Sequence, residues 1–358
     1  MAPNPSKDVV TSTSDHLRSQ TSVIQSKISS NGEKESAGNK ITFTEEEVLL
    51  FSPDKSTRLL PWIGMLVWPL MLFLPLMLNG PFESTNYKNV FKSSWYEYDY
   101  FSGERPKPLG LTLGILCVGV GQIFVIAYFF LHKHFLYFSI EKKPTSPPSI
   151  QIKGAPMYNF LEGVLSHLAQ PEGFILLTLY LSGTWMFRLM PPSYYSFEGS
   201  IDMKKTFCCL ATQDCIQYIM HRLEHSVSAS FYRLSHKPHH KFTNPRMFDA
   251  FNGSMADTII MILIPLYATA LINSTCNVWT YMAFGSMYAN WLTLIHSEFP
   301  LPWDKFFRMV GFGTPGDHHV HHKFFKYNYG HLFMWYDRIC GTYKNPMHFA
   351  PRVFSPQV

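Results

Sequence analysis

The chain contains few charged residues for its length. Asp, Glu, Lys and Arg make up 15% of its 358 residues, whereas they make up roughly a quarter of typical soluble domains. The basic residues are scattered and the net charge is only +5, so there is no basic stripe of the kind that binds nucleic acid. Apolar residues reach 46% and aromatic residues 16%, and this balance indicates a membrane protein.

Paired cysteines and a signal peptide are missing too. None of the six cysteines forms a CxxC pair, so we interpret them as reduced packing residues rather than a disulfide frame. The N-terminus has no apolar core behind a basic start, which argues against an ordinary secretory signal peptide. Residues 1–45 are rich in Ser, Thr, Asn and Lys. We predict that they form a disordered tail, because they cannot bury enough apolar surface to offset the entropy of ordering.

Long apolar runs follow this tail. Residues 59–78 and 109–131 are uncharged, and each run is long enough to cross about 30 Å of hydrocarbon. Residues 173–190 and 207–220 are shorter apolar runs. We therefore predict an N-terminal transmembrane region over residues 46–205. Three glycines of the second run are expected to allow close helix packing: Gly114, Gly119 and Gly121.

Residues 258–295 contain no charged residue and divide at a polar stretch, residues 273–277. This pattern predicts a helical hairpin that crosses a membrane and returns, so that His296 lies on the same side as the earlier histidines. The segment after the hairpin is basic, which places the histidine face in the cytosol. Its basic residues are Lys305, Arg308, Lys323, Lys326, Arg338, Lys344 and Arg352.

Four histidine boxes stand between and after these runs. They are HRLEH at 221–225, HKPHH at 236–240, the single His296, and HHVHH at 318–322. Residues three and four apart share a face of an α-helix, so each box is expected to aim its imidazoles in one direction. A histidine-rich tract can bind metal loosely without catalysis, but a repeated helical spacing favours a built metal site.

The chemistry of imidazole limits the choice of metal. Neutral imidazole suits iron, zinc and copper, whereas magnesium and calcium prefer carboxylates. Nine imidazoles exceed the three or four ligands of a typical zinc site and are enough for two metals with open positions. Two irons that activate dioxygen are the natural candidate.

The boxes, together with the segment FFKYNYGHLFMWYDRICGTY after the last one, resemble the fatty acid hydroxylase and sterol desaturase superfamily. The resemblance covers about residues 214–343, and HKPHH and YNYG are most similar to sterol C-5 desaturases. It places a catalytic domain at residues 206–345 and a C-terminal tail at 346–358. With the apolar runs, it implies an all-α integral membrane protein: a helical transmembrane bundle whose cytosolic, histidine-rich helical cap holds a dimetal site.

The resemblance also implies a function. Such a protein is a multi-pass enzyme of the endoplasmic reticulum membrane with a non-haem di-iron centre. It uses O2 and electrons from cytochrome b5 or a similar carrier to oxidise a sterol or sterol-precursor lipid by C-5 desaturation, methyl oxidation or hydroxylation. Zinc is expected to replace iron in some recombinant preparations. The implied metal ligands are His221, His225, His236, His239, His240, His296, His318, His321 and His322.

Alternatives remain open at this stage. Within the superfamily they are a squalene-type epoxidase and a fatty-acid or sphingolipid hydroxylase. Outside it they are a zinc-binding membrane transporter and a non-catalytic scaffold. A transporter site is expected near mid-bilayer on broken helices, whereas these boxes adjoin polar, charged sequence.

Four acidic residues near the boxes are candidate partners for the imidazoles. Asp214 lies seven residues before His221, two helical turns along the same face. We propose it as the catalytic-site carboxylate, because an acid inside an apolar helix requires a partner. Glu224, Asp257 and Asp317 are interpreted as caps or ordinary ion pairs. His331 resembles a glutamine position of C-5 desaturases and is left outside the ligand set.

Overall fold

The computed structural model describes residues 86–131, 160–241, 243, 245–297 and 304–346, all within one compact unit of residues 44–358. The predicted tail at 1–45 and the predicted run at 59–78 lie outside the described residues, as do residues 347–358 of the predicted C-terminal tail.

The described part of the chain is helical, and β structure within it is confined to one isolated bridge between Phe312 and Phe333. This agrees with the all-α prediction. The helices in chain order are α1 Asn86–Val90, α2 Leu109–Leu131, α3 Phe160–Ala169, α4 Leu176–Met186, α5 Met203–Ser226, α6 Ala229–Leu234, α7 Met255–Thr258, α8 Ile264–Ile272, α9 Val278–Ile295, α10 Asp304–Val310, α11 Pro315–Phe324 and α12 Trp335–Ile339.

Two segments of the described residues are long and apolar enough to cross a membrane by length and composition, Leu109–Ala127 and Met255–Ile272. The first lies in α2, whose bounds coincide with the predicted uncharged run. The second is continuous, because a π-helical turn, Ile259–Leu263, joins α7 to α8. The predicted run at 173–190 gives a shorter helix, since α4 ends at Met186.

The hairpin predicted at 258–295 is present as two helices joined by a turn. Thr269 and Asn273 close the end of α8, where the Asn273 N–H donates to the Thr269 carbonyl. Asn277 then caps α9, because its side chain accepts the N–H of Thr280. Both α8 and α9 pack against α5, so the last residue of α9 brings the chain back beside the end of α5.

Helix α9 also packs closely along α2. Gln122 of α2 donates to Asn290 of α9 at 2.9 Å, in a buried position. A Cβ atom at Gly121 would overlap the Asn290 side chain, so this glycine permits the close approach that the sequence predicted. A Cβ atom at Gly119 would meet no described residue within 4 Å, so close packing at that glycine stays a prediction.

Candidate metal centre

The four histidine boxes converge in two adjacent clusters. In each cluster the potential ligand atoms all lie within 4.8 Å of one another. The five-histidine cluster contains His221, His225, His236, His240 and His321. The four-histidine cluster contains His239, His296, His318 and His322. All nine histidines expected from the resemblance are therefore brought together.

The boxes are carried by different local structures. His221 and His225 lie near the end of α5, and His296 directly follows α9. The fourth box lies on α11, where Thr314 and Asp317 form a capping box at the N-terminus. Asp317 is thus the cap that the sequence predicted.

The second box differs from the expected α-helix. His236 lies in a turn, and His239 and His240 begin a short 3-10 helix. Pro238 has no N–H to donate, so a regular helix through this box would lack one hydrogen bond. The N–H groups of His239 and His240 instead both donate to the His236 carbonyl, at 3.0 and 3.2 Å.

The expectation that each box aims its imidazoles in one direction is wrong for the second and fourth boxes. His239 and His240 belong to different clusters, and so do His321 and His322. Consecutive helical residues are separated by about 100° around the axis. Each HxxHH box therefore straddles the boundary between the two clusters.

Within the clusters, the Nε2 atoms face one another. In the five-histidine cluster, His221 and His236 are 2.9 Å apart, and His240 lies 3.0 Å from His321. In the four-histidine cluster, the corresponding distances are 2.9 Å for His296–His318, 3.0 Å for His318–His322 and 3.4 Å for His239–His296.

The other ring nitrogen, Nδ1, is anchored in five of these histidines, and this fixes the tautomer. A backbone carbonyl can only accept, so each Nδ1 beside one must carry the proton. The Nδ1 of His221 donates to the Tyr329 carbonyl at 2.7 Å, and that of His321 donates to the Tyr327 carbonyl at 2.8 Å.

His296 and His239 are anchored in the same way, to the carbonyls of Leu292 at 2.6 Å and Asn252 at 3.1 Å. In a neutral ring, Nε2 then presents a lone pair to the cluster.

Burial keeps the imidazoles neutral. It is the largest cause holding the pKa values of His318, His321 and His322 well below the ordinary value, and neighbouring imidazoles add to the effect. Burial also lowers the pKa of His236 to about 3. The lone pairs are therefore available for a metal at neutral pH.

One carboxylate contacts the centre directly. Oδ1 of Asp257 lies 2.6 Å from Nδ1 of His236, so Asp257 fills the partner position for which the sequence favoured Asp214. Oε2 of Glu224 lies 3.5 Å from the same nitrogen. Burial, followed by the nearby Asp257, raises the pKa of Glu224. Glu224 and Asp257 were interpreted as caps or ordinary ion pairs, and the structure places both beside a cluster histidine.

Asp214 occupies a different place from the one expected. Its two oxygens accept the backbone N–H groups of His331, Leu332 and Phe333, at 3.3, 2.7 and 3.0 Å. Its partner is therefore a loop that returns to α5 from 117 residues further along the chain. A spacing of seven residues along one helix carries no information about such a contact.

The loop at 327–331 is the functional element that spacing arguments missed. It supplies the Tyr327 and Tyr329 carbonyls that orient His321 and His221. Asn328, between them, has a φ of 53°, a left-handed conformation in which asparagine is several-fold enriched. Its amide donates to the Asp317 and Lys344 carbonyls. The YNYG sequence was the available signal.

The residues present fit two metal ions. His221 and His236 both have Nδ1 anchored, so their Nε2 lone pairs face each other at 2.9 Å. Such a contact is repulsive unless a cation lies between the two atoms. Metal–nitrogen bonds of about 2.0–2.1 Å separate neighbouring ligands by roughly 2.9–3.4 Å. The Nε2 distances given above fall in this range, and all ligand atoms of each cluster lie within 4.8 Å of one another.

An apolar cavity lies between five of the described helices. Its walls come from α2, α4, α5, α8 and α9 and include Leu111, Leu181, Leu266, Met282, Phe251 and Leu292. The Leu292 carbonyl anchors His296, and Asn252, next to Phe251, anchors His239. The wall therefore includes residues at or next to the anchors of the smaller cluster, whereas none of the nine histidines lines the cavity itself.

Comparisons with known proteins identify sequence relatives of this chain. The fatty acid hydroxylase family model matches residues 206–342. The chain is 59% identical to the alternative squalene epoxidase of Phaeodactylum tricornutum over 320 residues, which are 87% of this chain and 90% of that protein. It is 30% identical over 138 residues to a Delta(7)-sterol 5(6)-desaturase of Gibberella zeae, 36% of this chain and 38% of that one.

The human lathosterol oxidase is 31% identical over 147 residues, 38% of this chain and 44% of that protein. The chain thus matches less than half the length of these two sterol enzymes. No solved structure matches it significantly.

Proposed function

The chain belongs to the fatty acid hydroxylase family, and from this premise we propose that it is a membrane-bound di-iron enzyme that epoxidises squalene or a similar linear isoprenoid. The overall reaction consumes the lipid, O2, two electrons and two protons, and yields the epoxide and water. Iron bound in the two clusters would supply the activation of dioxygen, since no side chain oxidises an unactivated alkene.

One observation carries the choice of substrate. The similarity to the alternative squalene epoxidase extends over 320 residues, whereas the family match covers only residues 206–342. Helices α2 and α4, which line part of the cavity, precede that family match. The two sterol enzymes align with this chain over only 138 and 147 residues, which is about the length of the catalytic domain.

The histidines of this chain hold and orient the metals. Carbonyls of Tyr329, Tyr327, Leu292 and Asn252 and the carboxylate of Asp257 fix five of the nine rings. Partners of this kind set the tautomer and direction of a ligand and raise its basicity. Burial excludes water, which protects a reactive oxidant from side reactions.

The cavity provides the complementary site for the substrate. An apolar wall accepts an apolar lipid at no cost in polar groups, whereas a polar wall would have to give up its hydrogen bonds to water. A linear isoprenoid has no polar group that requires a partner, and the cavity wall is almost entirely apolar. The part lined by Leu292, whose carbonyl anchors His296, is where the reacting double bond would lie.

The position of the clusters also supports catalysis over transport. His296 immediately follows α9, and Asp257 lies in the first turn of the apolar segment Met255–Ile272. The centre is therefore at the ends of these helices, whereas transporter sites lie near mid-membrane. We propose that this end faces the cytosol of the endoplasmic reticulum membrane, where cytochrome b5 or a similar protein would donate electrons.

Complementation tests the proposal. The chain would be expressed in a yeast strain without its own squalene epoxidase and, separately, in a strain without its sterol C-5 desaturase. We expect growth and oxidosqualene, measured by gas chromatography and mass spectrometry, in the first strain only. His239→Ala in the same vector is the inactive control. Rescue of the second strain alone would refute epoxidation and restore sterol desaturation as the function.

A further inference from the structure

We propose that His331 is a tenth imidazole of the metal centre and completes the four-histidine cluster. This inference rests on the metal centre proposed above. His331 is not among the nine histidines whose ligand atoms form the two clusters, and its place in the sequence, after the last box, offers no helical spacing that would select it.

The His331 ring lies between the two clusters. Its centroid is 5.0 Å from that of His221 in the larger cluster and 5.3 Å from that of His318 in the smaller one. Within a cluster, the centroids of ring pairs range from 4.2 Å, for His296 and His318, to 6.5 Å, for His236 and His321. The His331 ring contacts both clusters at distances inside this range, although its nitrogens lie outside the two groups of ligand atoms that are within 4.8 Å of one another.

The ring is buried, and its Nδ1 atom has no hydrogen-bond partner among the described residues. Its exposed fraction is 5%, and no described residue accepts from or donates to its Nδ1 atom. A buried polar nitrogen without a partner is costly. A metal ion beside the ring would give the Nδ1 atom of His331 the partner that it lacks.

The backbone of His331 is held by buried contacts on both sides. Its N–H donates to Asp214 at 3.3 Å, and its carbonyl accepts from Nε1 of Trp291 at 3.1 Å. The neighbouring Gly330 N–H donates to Asp337 at 2.7 Å. The side chain contributes to none of these bonds. The surrounding structure therefore builds this backbone position independently of the imidazole, and Asp214 is the positioning residue for it.

The smaller cluster is the one that His331 would complete. The larger cluster already has five imidazoles and the smaller has four. Trp291, which holds the His331 carbonyl, lies on α9, the helix that ends at His296 of the smaller cluster. A fifth nitrogen there would give both metals the same number of protein ligands and would define how many positions stay open beside the cavity.

Mössbauer spectroscopy of the full-length protein loaded with ⁵⁷Fe(II) tests the inference, because it resolves inequivalent iron sites without turnover. In His331→Ala we expect one quadrupole doublet to change, the same one that His296→Ala alters, while the other stays as in the wild type. Chelator competition should show at least a tenfold loss of affinity at that site, since even outer partners of ligands are worth roughly 10–100-fold. Added imidazole should restore the wild-type doublet.

His319→Ala is the matched control. His319 is equally buried and lies on α11 beside His318, but its Nδ1 donates to the Pro315 carbonyl and it belongs to neither cluster. It should keep both doublets. His331→Gln preserves size and polarity and provides a second variant if the alanine protein does not fold.

Each result is decisive. If the His331 variants bind two irons with wild-type affinity and spectra, the inference is overturned and the proposed function stands. If the wild-type protein itself binds no iron or other metal, the His331 inference and the proposed function are both wrong.

Discussion

Asp214→Asn is the perturbation whose cost the structure defines best. The carboxylate accepts three backbone N–H groups, two through Oδ1 and one through Oδ2. An amide keeps one oxygen and replaces the other with an NH2 group that cannot accept. The N–H of Phe333 would then face a donor, and two buried donors would lose their partners. Each unpartnered donor costs about 1–3 kcal/mol, so the free energy of unfolding should fall by about 2–6 kcal/mol.

That loss is large compared with the 5–15 kcal/mol typical of folded domains. The entropy of unfolding is about 2.1 cal/mol/K per residue. For the compact unit of residues 44–358, a change of 1 kcal/mol therefore shifts the melting temperature by about 1.5 °C, and we expect Asp214→Asn to melt roughly 3–9 °C below the wild type in detergent. Because the loop also carries the Tyr329 carbonyl that orients His221, metal affinity and activity should fall together.

Asp202→Asn is the control on the same helix. Asp202 caps the N-terminus of α5 by accepting the Lys205 N–H, and asparagine caps equally well. Its melting temperature should stay near that of the wild type. The reasoning fails if Asp214→Asn is as stable as Asp202→Asn. If Asp214→Asn loses activity while keeping its stability and both metals, Asp214 acts in the chemistry instead of positioning the loop.

Three further predictions concern the ligand partner, the cavity and the topology. Asp257→Asn removes the negative charge 2.6 Å from the His236 ring and should lower metal affinity about 10–100-fold, measured by chelator competition; unchanged affinity would contradict the partner role. Gly285→Leu adds a side chain on the cavity wall, where a Cβ atom would meet no described residue, and should reduce turnover of the lipid at least tenfold. Gly119→Leu is the control, because a Cβ atom there also meets no described residue but Gly119 does not line the cavity. Equal activity of both variants would exclude the cavity as the substrate site. Single cysteines at Ser274 and Lys305, in a background without native cysteines, should label differently in sealed microsomes, with only the Lys305 position reacting from the cytosolic side; labelling of Lys305 only after the membrane is opened would reverse the proposed orientation.

The short-range features of this protein could be predicted from the sequence because they depend on neighbouring residues. The bounds of α2 follow from an uncharged run, and the turn between α8 and α9 follows from polar residues in an apolar stretch. The resemblance to the family indicated nine ligands, eight of them in boxes with helical spacing, and all nine lie in the two clusters. Their role as metal ligands stays a prediction.

The distribution of those histidines between clusters was decided by the tertiary structure. His321 and His322 are adjacent in sequence, yet they point to different clusters because about 100° separates them around α11 and α11 contacts both groups of neighbours. The spacing of residues along the sequence also could not predict which groups the histidine rings contact. Asp257 meets His236 across 21 residues, and Asp214 meets the His331 loop across 117. Local sequence determines which side chains a helix can present, whereas only the packing of distant segments determines which atoms they meet.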